Sequence, residues 1–273
     1  MKSAAIIDMH VHLFPPGMFE AVWNYFESYD WRVHRQHVEQ VAQTLADHGV
    51  AMATALSYPH KKGVARPLNE FMESVGAEYE IFKPFASVHV EDDDLRECID
   101  HALESPHIHG FKFQPLVQHF DINDPRLDAL YIPSMDRQFP IIMHIGTAPY
   151  ANEFVGLKFF RRLMKRYPTL RVCVAHMGGF EFDGFLEMLG DCPNMFLDTT
   201  MINVKTELFD ASWRGDDKML KRHARRICFG SDWPNVPYPY QEALDSIERF
   251  GLPPDALPGV RGGNARRFLK PGS

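Results

Sequence analysis

Short apolar runs alternate with amphipathic stretches almost from one end of the chain to the other. Eight runs of strand length fall at residues 5–9, 50–56, 82–88, 108–113, 141–143, 170–175, 195–197 and 227–229. Between them, Val38, Val41, Leu45 and His48 recur at three- and four-residue steps and stop at Gly49, the spacing and stop signal of a helix. Further helical patterns cover about 67–79, 93–104, 124–138, 154–167, 182–189 and 240–250. The one at 124–138 opens on Asp124-Pro125, an acidic cap followed by proline at the first helical position, where the missing N–H costs nothing. Strands alternating with helices in one series, without a linker, imply parallel strands joined by helical crossovers. Eight such units predict a single-domain α/β protein, a (β/α)8 TIM barrel over residues 1–273, a fold that takes about 200–250 residues. A doubly wound sheet would share the pattern, but no Gly-x-Gly-x-x-Gly follows the first run. Only residues 14–35 break the rhythm. They hold Phe19, Trp23, Tyr25, Phe26, Tyr29 and Trp31 and read as an insertion after the first strand, either a hydrophobic flap or oligomer contact, or a lid over an apolar or aromatic substrate.

Composition narrows the partners. With 29 Lys and Arg against 36 Asp and Glu, the net charge of −7 argues against nucleic acid and anionic membranes, which basic faces bind. No run approaches the ~20 apolar residues of a membrane span, and the N-terminal apolar run is shorter than a signal sequence requires. The four cysteines form no Cys-x-x-Cys pair, which suits a reduced interior. These features predict a cytoplasmic protein that acts on a small molecule, with homo-oligomer formation left open.

In a barrel the chemistry sits where the strands end. The first run ends Asp8-Met9-His10-Val11-His12, and residues two apart in an extended segment face the same way, so both imidazoles can face the mouth. The fourth run leads to Lys112-Phe113-Gln114, the fifth to Met143-His144-Ile145-Gly146, the sixth to Ala175-His176-Met177-Gly178-Gly179 and the last to Gly230-Ser231-Asp232-Trp233-Pro234. Four histidines and an aspartate converging from four strands suit Zn²⁺, or Mn²⁺ or Fe²⁺. A lone His-x-His among 14 histidines could be chance, and His144 or His176 alone could be an ordinary hydrogen-bonded histidine; together at one rim they form a site. Asp198, at the end of the seventh run, is a candidate to touch substrate or to hold a neighbouring imidazole. Gln114, His119, Tyr58, His60 and His89 are candidate pocket residues, each with an equally simple reading as surface loop.

The strand-end motifs Ile-Asp-Met-His-Val-His, Met-His-Ile-Gly, Ala-His-Met-Gly-Gly and Gly-Ser-Asp-Trp-Pro resemble those of the amidohydrolase superfamily. With the closing Gly263-Asn264-Ala265 segment they are most similar to its amidohydrolase-2 branch, which includes aminocarboxymuconate-semialdehyde decarboxylase, resorcylate decarboxylases and dicarboxylate lactonases. The resemblance implies that His10, His12, His144 and Asp232 bind one divalent metal ion, with zinc the first choice, and that His176 lies beside the activated water. Asp232 and His176 are then the catalytic residues that shuttle the proton. Binuclear relatives carry a carboxylated lysine on strand four, where Lys112 stands. Because the branch is usually mononuclear, Lys112 is read, with Gln114 and Asp198, as a substrate-binding residue whose cation pairs with a substrate carboxylate. The expected function is a metal-dependent hydrolase that attacks a lactone, amide or ester of a small carboxylated or cyclic, acidic substrate with metal-activated water. Non-oxidative decarboxylation of an aromatic or muconate-like acid is the alternative. A non-catalytic binding barrel is disfavoured because no member of the ligand set is missing.

Overall fold

The computed structural model describes residues 5–270. Its strands are β1 (Ile6–His12), β2 (Val50–Leu56), β3 (Phe82–Pro84), β4 (Phe111–Phe113), β5 (Ile141–Met143), β6 (Val172–Val174), β7 (Met195–Asp198) and β8 (Ile227–Cys228). All pair in parallel, in the order β1-β2-β3 and β4-β5-β6-β7-β8. Bridges between Ala86 and Phe111 and between Val11 and Trp233 join the two arcs. The Met9 N–H also donates to the Phe229 carbonyl at 2.9 Å, so the sheet closes on itself. The chain is a TIM barrel, as the alternation predicts. The expected run at 82–88 is regular only as β3, although Phe85 and Ala86 still donate to the Ala55 and Gly110 carbonyls, both at 2.9 Å.

The helices are α1 (Pro16–Glu27), α2 (Val38–Asp47), α3 (Ala65–Glu78), α4 (Leu95–Glu104), α5 (Pro115–Gln118), α6 (Asp128–Arg137), α7 (Leu157–Arg166), α8 (Phe182–Asp191), α9 (Asp217–Arg222), α10 (Tyr240–Ser246) and α11 (Asn264–Leu269). Among the described residues no helix is long and apolar enough to cross a membrane. The sequence pattern shows none of α1, α5, α9 and α11. In α1, Phe19 and Trp23 stand one turn apart and are buried, but Tyr25 on the other face is 56% exposed, so aromatic residues on both faces mask the helical period.

The interior of the barrel has two layers. Ile7, Met9, Leu56, Phe85, Ile142, Cys173, Phe196 and Cys228 form an apolar layer, and Ala265 and Phe268 of α11 pack into it as a plug. Above them, towards the strand C-termini, the next inward positions are Lys112, His144 and Asp198, joined by the histidines of β1. A β-bulge makes the switch in β1. Asp8 pairs with Ala53 and Val11 with Ala55, so β1 uses three steps where β2 uses two. The extra residue resets the alternation, and Met9, His10 and His12 all reach the interior while Val11 packs outside. The Thr54 hydroxyl donates to the Met9 carbonyl at the bulge, at 2.6 Å.

Candidate active site

His10 is the centre of the polar layer. Its Nδ1 lies 3.0 Å from Asp198 Oδ2, so the imidazole donates there and turns the Nε2 lone pair towards Asp232 Oδ1, at 3.4 Å, and Lys112 Nζ, at 3.2 Å. His12 donates from Nδ1 to the Leu56 carbonyl at 3.2 Å and places Nε2 3.0 Å from the same Asp232 oxygen. Asp232 is the part of this group that opens towards solvent, with its side chain 16% exposed. It adopts a left-handed backbone conformation, φ 67°, held by its N–H on the His10 carbonyl at 2.8 Å.

His176 arrives by a tight turn. The 3-10 turn Ala175–Gly178 carries His176 and Met177 at positive φ, 54° and 52°, which brings the His176 ring within 5.1 Å of His10 and 4.5 Å of His144, centroid to centroid. Two glycines allow this crowding. A Cβ on Gly146 would stand 2.2 Å from the Gly178 backbone, and one on Gly230 would stand 2.3 Å from Thr200 Oγ1 and 3.0 Å from His10 Cβ. The Met-His-Ile-Gly and Gly-Ser-Asp motifs thus need glycine because strand ends touch there.

One donor each from His10, His176 and Asp232 lies within 4.8 Å of the others, a spacing and chemistry that fit a divalent ion. The expected set was His10, His12, His144 and Asp232, so the structure groups the residues differently. His144 turns Nε2 to the Ala148 carbonyl at 2.8 Å, while the left-handed turn swings His176 inward.

Electrostatics follow burial. Burial is the largest influence on His10 and His176 and pushes both imidazoles down to about 4, and it pushes His144 well below its ordinary value. Burial alone would raise Asp198, but the adjacent His10 holds it down to about 2. Burial would likewise raise Asp232, and His12 and His10 instead hold it far below the usual carboxylate range. Burial thus favours neutral His10, His144 and His176, while the neighbouring imidazoles favour ionised Asp198 and Asp232.

Two of the expected substrate-binding residues lie deep in the layer. Lys112 is wholly buried, with Nζ against His10, and burial lowers its pKa to about 8 despite Asp198 and Asp232. It lies in the same layer as His10 and Asp198, below the rim. Asp198 is also fully buried and both its oxygens are occupied, Oδ2 by His10 and Oδ1 by the backbone N–H groups of His176 and Thr200, at 2.9 and 3.1 Å. It holds the site together and leaves no oxygen for substrate. Gln114 is 8% exposed, with Oε1 unpaired. Tyr58 stands edge-on to His12 at 5.6 Å. His89 and His119 instead pack on Phe120 and Phe154, and His60 is exposed.

Asp8 is the residue that sequence reasoning missed. It is fully buried, and its Oδ1 accepts the N–H groups of His10 and Ser231, at 3.0 and 3.1 Å, while Oδ2 accepts the Tyr240 hydroxyl at 2.8 Å. One carboxyl thus ties the bulge carrying His10 to the turn carrying Asp232. Burial raises its pKa to about 7. Its place two residues before His10 was the only available signal.

Comparison with known proteins agrees with this architecture. The family model described as Amidohydrolase, of the amidohydrolase-2 type, matches residues 7–270, and the chain belongs to that family. Comparison with curated protein sequences gives no significant match. Among solved structures, an uncharacterized TIM-barrel protein from Bordetella bronchiseptica is similar with TM-score 0.74 and 19% identity, over 97% of this chain and 98% of that one. An amidohydrolase from Burkholderia multivorans with bound zinc gives TM-score 0.71 and 14% identity, over 97% and 99%. The 5-carboxyvanillate decarboxylase of Sphingomonas paucimobilis gives 0.66 and 14%, over 98% and 99%. At these identities the likeness is one of fold.

Proposed function

We propose that this amidohydrolase-family barrel is a metal-dependent hydrolase that opens a lactone, amide or ester bond in a small cyclic or carboxylated substrate. One observation carries the reading. Asp232 Oδ1 lies 3.4 Å from His10 Nε2 and 3.0 Å from His12 Nε2, and its Oδ2 has no hydrogen-bond partner among the described residues, at the point where the layer opens to the mouth. His10, His176 and Asp232 would hold a divalent ion, with His12 adjoining, and the ion would supply Lewis acidity that lowers the pKa of a bound water towards about 7. Zinc is the first choice because two imidazoles and a carboxylate suit it, and the zinc-bound Burkholderia protein shares the fold. Asp232 Oδ2 takes the proton from the attacking water and returns it to the leaving group. Asp198 holds His10 in the tautomer that offers Nε2. Gln114, whose buried Oε1 has no partner, is the amide we assign to a substrate donor, and Tyr58 stands edge-on beside His12.

The second reading, decarboxylation, draws on the fold shared with 5-carboxyvanillate decarboxylase. It needs a proton delivered to carbon, and Asp232 and His176 are the residues that would have to carry it. Isotope labelling separates the two. With a panel of lactones and hydroxybenzoates, hydrolysis in H₂¹⁸O places ¹⁸O in the new carboxylate, which is the expected result. Deuterium on carbon with release of CO₂ in D₂O would overturn it.

A further inference from the structure

Asp232 sits in a strained backbone conformation at the start of the loop 233–238, and that loop is gripped from outside by residues 31–36, the strap between α1 and α2. His34 makes most of the grip. Its N–H donates to the Pro234 carbonyl at 3.0 Å, its Nε2 donates to the Tyr238 carbonyl at 3.0 Å, and its ring stacks on Trp233 at 4.2 Å. Trp31 Nε1 adds a bond to the Asn235 carbonyl at 2.9 Å, and Trp233 Nε1 reaches Gln36 Oε1 at 2.9 Å. On the inside the same loop is tied to β1, where the His12 N–H meets the Trp233 carbonyl at 2.7 Å and the Asp232 N–H meets the His10 carbonyl. The loop is thus held between β1 and the strap. Non-glycine residues keep a left-handed φ only where their surroundings enforce it, and a misplacement of about 1 Å is enough to damage a site.

We infer that His34 is a positioning residue for Asp232: by clamping Trp233, Pro234 and Tyr238 it keeps the Asp232 carboxylate aimed between His10 and His12. The aromatic segment that the sequence suggests as a flap therefore acts on the site through the backbone that carries Asp232. This rests on the reading of Asp232 as a metal ligand, and the experiment keeps the two apart.

Zinc affinity is measured by competition with a chelating dye on wild type, His34→Ala, His34→Phe, Asp232→Asn and the His34→Ala/Asp232→Asn double variant, with near-ultraviolet circular dichroism to confirm folding. Partners outside the ligand shell typically contribute about 10–100-fold to metal affinity, so His34→Ala is expected to weaken zinc about tenfold. His34→Phe keeps the stacking on Trp233 and loses the Nε2 donor, so it falls between wild type and His34→Ala and serves if His34→Ala does not fold. In the Asp232→Asn background the His34 substitution is expected to add less than about twofold, because residues that act through one group are not additive. Wild-type zinc affinity in both His34 variants, or the same loss with and without Asp232, would overturn the inference. Unchanged affinity in Asp232→Asn alone would instead remove the ligand reading on which it rests.

Discussion

The barrel interior holds two layers built from the same strands, and they obey opposite rules. The lower layer, from Ile7 to Cys228 and closed by Phe268, is apolar throughout. The upper layer packs Lys112, Asp198 and His10 with almost no exposure, each desolvated and each dependent on the others for partners. Burying apolar area stabilises at roughly 25 cal/mol per Å², whereas burying charge costs several kcal/mol per ion before pairing offsets it. The lower layer should therefore carry stability and the upper one function. Substitutions can break that division, and the largest effect is expected at the mouth. Asp232→Asn should lower kcat/KM by about 10²–10⁴-fold while the denaturant midpoint falls only slightly, through loss of the carboxylate that its neighbours keep ionised. A large fall in stability with it would show that the upper layer also holds the fold.

The reverse experiment comes second. Phe268→Ala removes a wholly buried ring from the plug and should cost about 3–5 kcal/mol of stability in chemical denaturation. The activity of the folded fraction should remain near wild type. Third, Asp198→Asn should weaken zinc by about 10–100-fold through loss of the Nδ1 acceptor for His10, and a chelator competition assay would detect it. An unchanged affinity would mean that His10 is oriented by something else.

The smallest effect sharpens the comparison through pH. His10 and His176 in the upper layer, and His109 just before β4, are all held down to about 4, with burial the largest cause. The unfolded chain takes up these protons near the ordinary histidine pKa of 6.5, so the metal-free protein keeps this stability above pH 6.5 and loses it as pH falls towards 4. Asp8 opposes the trend, because a carboxyl raised to about 7 binds its proton more readily in the folded state, and its contribution is lost as pH rises through 7. Denaturation of metal-free protein should show a net fall in stability from about pH 6.5 to 4. In His109→Gln the fall should be slightly shallower, and an identical profile would remove His109 from the account.

The same division explains what was legible in the sequence. All eight strands, and the strand ends bearing His10, His144, His176, Lys112, Asp198 and Asp232, follow from period and punctuation, because each parallel strand is a short apolar run whose chemistry starts where the run stops. Depth was not legible. Lys112 reads as a rim cation, and β4 alternation turns it inward between Phe111 and Phe113, where it is buried against His10. Which imidazole nitrogen is free depends on acceptors distant in sequence, such as Ala148 for His144 and Leu56 for His12, and no local pattern encodes them. The bulge at Met9 and His10 is a matter of register between two strands, and strict alternation from Met9 would have turned His10 outward. Helix α1 was hidden because its exposed face is aromatic too.

The central claim is that the upper layer holds one divalent ion through Asp232 and does so independently of the lower layer. Zinc binding measured side by side on wild type, Asp232→Asn and the folded fraction of Phe268→Ala tests it most directly. The account predicts about one zinc per chain in wild type and Phe268→Ala with matching affinity, and an affinity at least about tenfold weaker in Asp232→Asn. Equal affinity in wild type and Asp232→Asn would contradict it.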